Sequence, residues 1–531
     1  MALKAGFPAR GPGVVLLSLA AGGLAALAFP PFGFLPGLLG YGLLMRLAEL
    51  APDPRPLRGA FWRGWLAGLI YFGVSTWWVA EAFLVDAAHQ GWMAPFAVTL
   101  LASGLALFFG VACLLYRALR PRGVVRVLVF AGAFCALEWL RGRVLTGFPW
   151  DLAGESWAAG SPPSQAAALV GAYGLGWITV AAAAAPAMLF DQQRSRRTWA
   201  ALALSILTIG GLYAFGLNRL AHTAPVAPGA PLIRVVQAKV DQEDKYDERM
   251  FRSIVQRYVA LTARPGARRP DIVIWPEGAV PDAANDYLAD GTWTKAAIAG
   301  ALRPGQTLLL GAYRIEGSDI RPTYYNTLLA LQPRGEGDLA VTGIYDKFRL
   351  VPFGEYMPLD SLMTRLGIKS LVHVGDGFTA GPRPRPIAPP GVPRVQPLIC
   401  YESLFPGFTR EGAAGAGRSA WIVNVSNDAW FGRTYGPLQH LNLASYRAIE
   451  EGLPIVRATP TGVSAIIDSY GRIVPGAELG QGAMGVIDQV LPPALAPTAF
   501  AEHGESLFGL MMIVSVAAAA AAYRRSPRPR V

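Results

Sequence analysis

Long apolar stretches recur through roughly the first 215 positions, give way to short apolar runs broken by turns, and return once near the end. A helix needs about 20 mostly apolar residues to cross a bilayer. On that measure the chain predicts about seven spans, at roughly 13–29, 34–50, 60–84, 93–116, 124–140, 165–190 and 198–216, and an eighth around 506–523. Pro and Gly interrupt the first pair and blur its limits. Lys4 and Arg10 precede the first span in the manner of a secretory leader, but no small-residue cleavage pattern follows and more spans do, so a retained helix is expected.

From about 220 to 505 the texture is that of one large domain, entered through the linker "HTAPVAPGAP". The runs "LIRVVQA", "DIVIWPE", "TLLLGAY", "YNTLLAL", "RVQPLICYE", "SAWIVNVSN" and "GVSAIID" are continuously apolar rather than alternating, as strands covered on both faces are. Helical patterns lie between them, in "DERMFRSIVQRYVALTA" and "LQHLNLASYRAIEEG". A layered α/β fold follows. The expected organisation is therefore a multi-span helical domain over 1–219, an α/β domain over 220–505, and a last helix with a basic tail over 506–531. No internal repeat interrupts this order, and the Pro-rich "TAGPRPRPIAPPGVP" reads as a surface loop.

Composition agrees with a membrane portion: 53% of residues are hydrophobic, and the mean hydropathy is +0.34. Only 16% are charged, yet the net charge is +11, so the distribution of the basic excess decides between nucleic acid and membrane topology. Arg55, Arg58 and Arg63 lie around the second connection; Arg117, Arg120, Arg122 and Arg126 fill the fourth; Arg194, Arg196 and Arg197 fill the sixth; Arg524, Arg525, Arg528 and Arg530 close the chain. The alternate connections are poor in Lys and Arg, with Arg141 and Arg143 as the exception. Solvated loops with no topological meaning would not alternate in this way. The positive-inside rule then sets both termini in the cytoplasm and the 220–505 domain outside, and disfavours nucleic acid as a partner.

That placement raises the chemistry. The chain has three cysteines, and Cys113 and Cys135 lie in apolar runs where pairing with Cys400 is geometrically unfavourable. A free thiol in an oxidising compartment is either deeply buried or in use. Three apolar runs end in reactive groups: "IVIWPEG" in Glu277, "VTGIYDKFRLVPFGEYMP" carries Lys347, and "PLICYES" carries Cys400. In an α/β sheet such groups converge at the carboxyl ends of the strands. A carboxylate can take the thiol proton, and an ammonium favours the thiolate and the oxyanion formed on attack at a carbonyl. The five histidines are scattered and no His/Cys cluster has ligand spacing, so neither metal nor cofactor is expected.

With "LAFPPF", "TGFPW", "VSNDAWFG" and "GPLQHLNLASYRAIE" added to these motifs, the α/β part resembles the nitrilase, or carbon-nitrogen hydrolase, superfamily, and nearly the whole chain resembles the apolipoprotein N-acyltransferases. The resemblance implies an αββα sandwich with Glu277 as general base, Lys347 as triad lysine and Cys400 as the acylated thiol. It adds Glu355 in "FGEY" as a further glutamate beside the triad, and Tyr401 and Glu402 as required neighbours of the nucleophile. Tyr246 stands where enterobacterial members carry tryptophan, in a loop near the lipid entrance, so an aromatic face is kept. The implied reaction is ping-pong transfer of an acyl chain from a phospholipid donor to the α-amine of a diacylated apolipoprotein, by a multi-pass monomer of the bacterial inner membrane with a periplasmic catalytic domain.

Three rivals stand beside it. A Cys-His hydrolase would use His373 or His440 to activate Cys400. A membrane-tethered nitrilase or amidase would pass the acyl group to water. A transporter or scaffold would keep the domain as a vestige, against the presence of all three triad residue types. The "VPFGEYMP" and Pro-rich segments are expected as mobile lids.

Overall fold

The computed structural model describes residues 11–222, 224–318, 320–335, 337–357, 377–413 and 417–524. Lys4, Arg10, His373 and the tail arginines Arg525, Arg528 and Arg530 lie outside these, as does the end of the "VPFGEYMP" segment. The chain divides into two compact units, Met1–Ala80 with His89–His222 and Glu502–Val531, and Glu81–Ala88 with Thr223–Ala501.

The first unit is helical. Four helical stretches, Pro56–Leu84, Ala87–Leu119, Pro163–Phe190 and Arg196–Ala221, are long and apolar enough to cross a membrane. They fall on four of the eight predicted spans. Pro12–Leu27 and Ser506–Ala522 are apolar but shorter. The span expected at 34–50 is broken into a 3-10 turn, Leu35–Leu38, and a short helix, Leu39–Glu49. The one expected at 124–140 is a 16-residue helix, Arg126–Arg141, that carries Glu138 within it. Length and charge thus separate these two from the long apolar helices. Arg196–Ala221 exposes Trp199, Leu204, Ile206, Leu207 and Leu217, an apolar face that water would penalise and lipid would not.

The polar residues of this unit gather at particular places. Arg126 pairs with Asp191 at 2.8 Å and with Glu49 at 3.2 Å, Arg46 reaches Asp191 at 3.3 Å, and the Tyr116 hydroxyl donates to Glu49 at 2.6 Å. Residues next to the second, fourth and sixth connections therefore meet at one end of the unit. Arg141 and Arg143, the exceptions to the charge alternation, are both in use. Arg141 is buried and donates to the carbonyls of Phe148 and Trp150, fastening the "TGFPW" loop. Arg143 stacks over Trp139 at 4.0 Å and pairs with Glu505 at 2.5 Å.

The second unit holds two sheets. The six-stranded one runs β11-β1-β2-β3-β4-β5 and the five-stranded one β10-β9-β8-β7-β6. The strands are β1 (Leu232–Gln237), β2 (Ile272–Trp275), β3 (Thr307–Ser318), β4 (Arg321–Gly335), β5 (Asp338–Asp346), β6 (Val395–Ile399), β7 (Trp421–Val425), β8 (Ile455–Ala458), β9 (Ser464–Ile467), β10 (Ile473–Leu479) and β11 (Gly485–Val490). β1, β2 and β3 run parallel, as do β6, β7 and β8; the remaining neighbours are antiparallel.

Each pleat has two buried faces. Ile233, Val235, Ile272, Ile274 and Leu309 meet Val395, Ile399, Val423, Val425 and Val456 in a core between the sheets. Val236, Val273, Trp275, Leu308 and Leu310 turn the other way, onto Ile254, Val255, Tyr258 and Ile298 of the helices Phe251–Ala263 and Trp293–Ala301. Helix Gly436–Glu451, buried except at Leu438, packs near β8 and the turn after β6. The result is the expected αββα layering, and two-sided burial explains why strands β1, β2, β6 and β7 read as unbroken apolar runs.

Candidate active site

Three strands deliver their chemistry at their carboxyl ends. Glu277 follows β2, Lys347 directly follows β5, and Cys400 directly follows β6. Asn326, inside β4, lies beside Lys347, whose N–H donates to the Asn326 carbonyl at 2.9 Å and continues the strand pairing.

These side chains form one buried cluster. Lys347 Nζ donates to Glu355 Oε1 at 2.8 Å and approaches Glu277 Oε1 at 3.4 Å. The Asn326 amide, through Nδ2, donates to both, at 2.7 Å to Glu277 Oε1 and 2.8 Å to Glu355 Oε1. The other oxygens are held by main chain: Glu277 Oε2 accepts from Asn427 N at 2.7 Å, and Glu355 Oε2 from Val351 N at 2.9 Å. Both carboxylates are thereby aimed. Gly311 in β3 lets the Glu277 segment lie against it, since a Cβ there would stand 2.6 Å from Glu277 Cα and 2.4 Å from the Pro276 carbonyl oxygen.

Cys400 opens a 3-10 turn, Cys400–Leu404, at the end of β6, with φ +49°. A non-glycine residue in the left-handed region costs on the order of 1 kcal/mol and persists only where its surroundings hold it. Its carbonyl oxygen accepts from Ser403 Oγ at 2.8 Å. Its thiol is partly buried, and all three cysteines are free.

Burial raises the Cys400 thiol pKa and the Glu277 carboxylate raises it further, while Lys347 and a hydrogen bond with Ser426 pull it down. For Lys347, burial acts to lower the ammonium pKa, but Glu355 and Glu277 outweigh it and hold the pKa above the ordinary lysine value. One ammonium thus faces two carboxylates, and the thiol at rest keeps its proton. A carboxylate beside such a thiol can accept its proton when a substrate approaches, and Glu277 is the carboxylate that acts on Cys400 here.

Glu402 is fully buried and ties the Cys400 turn to the Lys347 segment. Its Oε1 accepts from the Tyr345 hydroxyl at 2.9 Å, Phe348 N at 2.7 Å and Arg349 N at 3.2 Å; its Oε2 accepts from Ile399 N at 2.8 Å. Burial pushes its carboxyl up to about 7, against these N–H donors and Lys347. Tyr401 is buried and packs edge-on against Phe405 at 5.2 Å. Tyr246 is 50% exposed on the connection after β1, with a hydrogen bond between its hydroxyl and Gln242.

His440, the described member of the Cys-His rival, is otherwise engaged. Its Nδ1 meets Asp428 Oδ1 at 3.0 Å, and its Nε2 lies 3.1 Å from Ser403 Oγ and 3.3 Å from the Cys400 carbonyl oxygen. Burial and the neighbouring Arg457 lower its pKa, with Asp428 opposing. It lies against the main chain of Cys400.

Asn326, Asn427 and Ser426 went unnoticed in the sequence. Asn326 interrupts the apolar run "YYNTLLAL", and a polar residue in a two-sided strand is the signal that could have found it. Asn427 and Ser426 lie in "VSNDAWFG", where only the motif as a whole stood out.

Among the described residues no group of three or more His, Cys, Asp or Glu side chains is arranged to hold a metal ion. The arrangement instead offers a thiol, a proton acceptor and a cation to a carbonyl group.

The carbon-nitrogen hydrolase family matches residues 232–497, and the apolipoprotein N-acyltransferase N-terminal domain matches residues 21–185. An apolipoprotein N-acyltransferase of Caulobacter vibrioides is 58% identical over 96% of this chain and 94% of its own. Another, of Allorhizobium ampelinum, is 37% identical over 95% and 94%. Among solved structures, an amidase of the nitrilase superfamily from Nesterenkonia aligns with 54% of this chain and 99% of its own, at 17% identity and a TM-score of 0.36. Similarity that runs through both the helical and the α/β parts leaves one conclusion: the chain belongs to the apolipoprotein N-acyltransferase family.

Proposed function

We propose that the chain moves a fatty acyl group from a membrane phospholipid, through a thioester on Cys400, to the α-amino group of the N-terminal diacylglyceryl-cysteine of apolipoproteins. The reading is carried by the cluster in which Lys347 lies 2.8 Å from Glu355 and 3.4 Å from Glu277, at the strand ends that also carry Cys400. Glu277 takes the proton from the Cys400 thiol as sulfur attacks the ester carbonyl, and returns it to the departing alcohol of the lysophospholipid. Lys347 stabilises the oxyanion in each tetrahedral intermediate. The acceptor amine then attacks the thioester, Glu277 takes its proton, and the thiol re-forms. Glu355 and Asn326 hold Lys347 and Glu277 at their stations, Glu402 and Tyr401 support the loop of the nucleophile, and Tyr246 offers an aromatic face to the acyl chain.

An amine acceptor is favoured over water by membership of a family whose named members are N-acyltransferases in both parts of the chain. We further read the protein as a monomer of the bacterial inner membrane, with 1–219 and 506–531 as its membrane portions, both termini cytoplasmic, and 220–505 periplasmic. The alternation of Lys/Arg-rich connections supports this orientation, as does the clustering of Arg46, Glu49, Arg126 and Asp191 at one end of the helical unit.

The test is mass spectrometry of the intact protein after incubation with phospholipid. The expected result is an acyl adduct confined to Cys400, discharged by a diacylated N-terminal peptide much faster than by water. Absence of the adduct in folded, lipid-supplied protein, or equal discharge by water alone, would overturn the reading.

A further inference from the structure

Lys245 takes no part in the chemistry above, yet it stands next to it. It belongs to the short 3-10 turn Glu243–Tyr246 on the connection after β1. Its side chain is partly buried, its Nζ is sealed from solvent, and that Nζ has no hydrogen-bond partner among the described residues. It hangs over Gly278, the residue after the general base: a Cβ at Gly278 would lie 3.6 Å from Nζ. Gly278 has φ +55°, so glycine both suits the turn and leaves the space under the ammonium open.

The Glu277 carboxylate acts electrostatically on Lys245, but it is already in use. Its Oε1 accepts from Asn326 and Lys347, and its Oε2 from Asn427 N. Burial lowers the Lys245 pKa to about 8, with Glu277 opposing. A sealed ammonium with three unused donors is costly unless a ligand answers it. Such a group calls for an anion with several acceptor oxygens.

We propose that Lys245 binds the phosphodiester of the phospholipid donor and so sets the scissile ester against Cys400. The inference rests on the acyl-transfer reading. In that reading the phosphodiester is the permanent anion attached to the reacting ester, only a handful of covalent bonds from its carbonyl. Lys347 already answers the oxyanion, which leaves Lys245 for the charge that is present before and after reaction. A compact ammonium meets phosphate oxygens from any direction, so this contact orients the donor without selecting the group beyond the phosphate.

The experiment compares Cys400 acylation in the full-length protein by a phospholipid and by a diacylglycerol with the same acyl chains, in wild type, Lys245→Met and Lys245→Arg. Wild type should acylate faster from the phospholipid. In Lys245→Met that preference should fall by about 10- to 100-fold, the size expected for losing one charge-assisted contact. In Lys245→Arg most of the preference should return. An equal slowing with both donors would overturn the proposal in favour of a general effect on Glu277 or on folding, and an unchanged preference would overturn it outright. If wild type forms no adduct with either donor, the acyl-transfer reading itself falls, and this proposal with it.

Discussion

Nε2 of His440 lies 3.3 Å from the main-chain carbonyl oxygen of Cys400. On the far side of the ring Nδ1 meets Asp428, whose second oxygen accepts from Arg457 Nη2 at 2.6 Å. A histidine that served as base to the thiol would keep a nitrogen free for the sulfur-bound proton. This one is committed to backbone on one side and to an ion pair on the other.

Exchange of His440 for glutamine should therefore slow Cys400 acylation by about 10-fold or less, whereas Glu277→Gln should slow it by about 100- to 10,000-fold, the range for loss of a general base. Time courses of adduct formation by intact mass decide the matter. Abolition in the His440 variant with survival in the Glu277 variant would reverse the assignment.

Asn326 donates to two carboxylates that would otherwise face each other across one lysine. Asn326→Leu removes both contacts and should cost about 1–3 kcal/mol of stability together with a clear loss of acylation rate. Asn326→Asp adds a third carboxylate and should be worse on both counts. Thermal unfolding and single-turnover acylation, measured side by side, would expose the alternative that Asn326 is merely a tolerated polar residue.

Gly311 touches no reactive atom, but a methyl group there would push on Pro276 and Glu277. Gly311→Ala should reduce acylation more than 10-fold through displacement of the base, a shift of about 1 Å being enough to cost that much. An alanine variant with wild-type rates would mean that the strand gives way elsewhere.

Glu402 has a carboxyl raised from an ordinary value of 4.5 to about 7 in the folded protein. The folded state then holds this proton where the unfolded state has lost it. The stability it confers is complete below about 4.5 and is lost as pH rises through about 7, a change on the order of a few kcal/mol. Glu402→Gln should flatten that part of the stability curve and slow acylation, because its amide presents hydrogens to some of the donors the carboxylate now accepts. Denaturation midpoints from pH 4 to pH 8 for both proteins test the sign, and a variant whose midpoint falls as steeply as wild type would refute it.

The strand ends that carry Glu277 and Cys400 were legible because two-sided burial writes continuous apolar runs that stop at a reactive group, whereas β5, which leads to Lys347, exposes Val341 and Ile344 and was marked by its motif instead. The layered α/β character was legible for the same reason, while the αββα order came with the family resemblance. What surrounds the triad was not. Asn326 and Asn427 act across gaps of 49 and 150 residues from Glu277, a pairing that no local pattern encodes. Lys245 drew no notice beside Tyr246, since a lysine in a polar turn ordinarily reaches water. The helical unit shows the complementary failure: hydropathy marked apolar stretches, while the break at Leu35–Leu38 and the use of Arg141 as a buried fastener depend on packing.

Through Glu402, the end of β6 in one sheet is laced to the first residues beyond β5 in the other. The seam between the sheets and the distance from thiol to lysine are thus under one control. Should the sandwich begin to slide apart, the enzyme would be disarmed before it came undone, so that heat should silence the protein ahead of any visible melting.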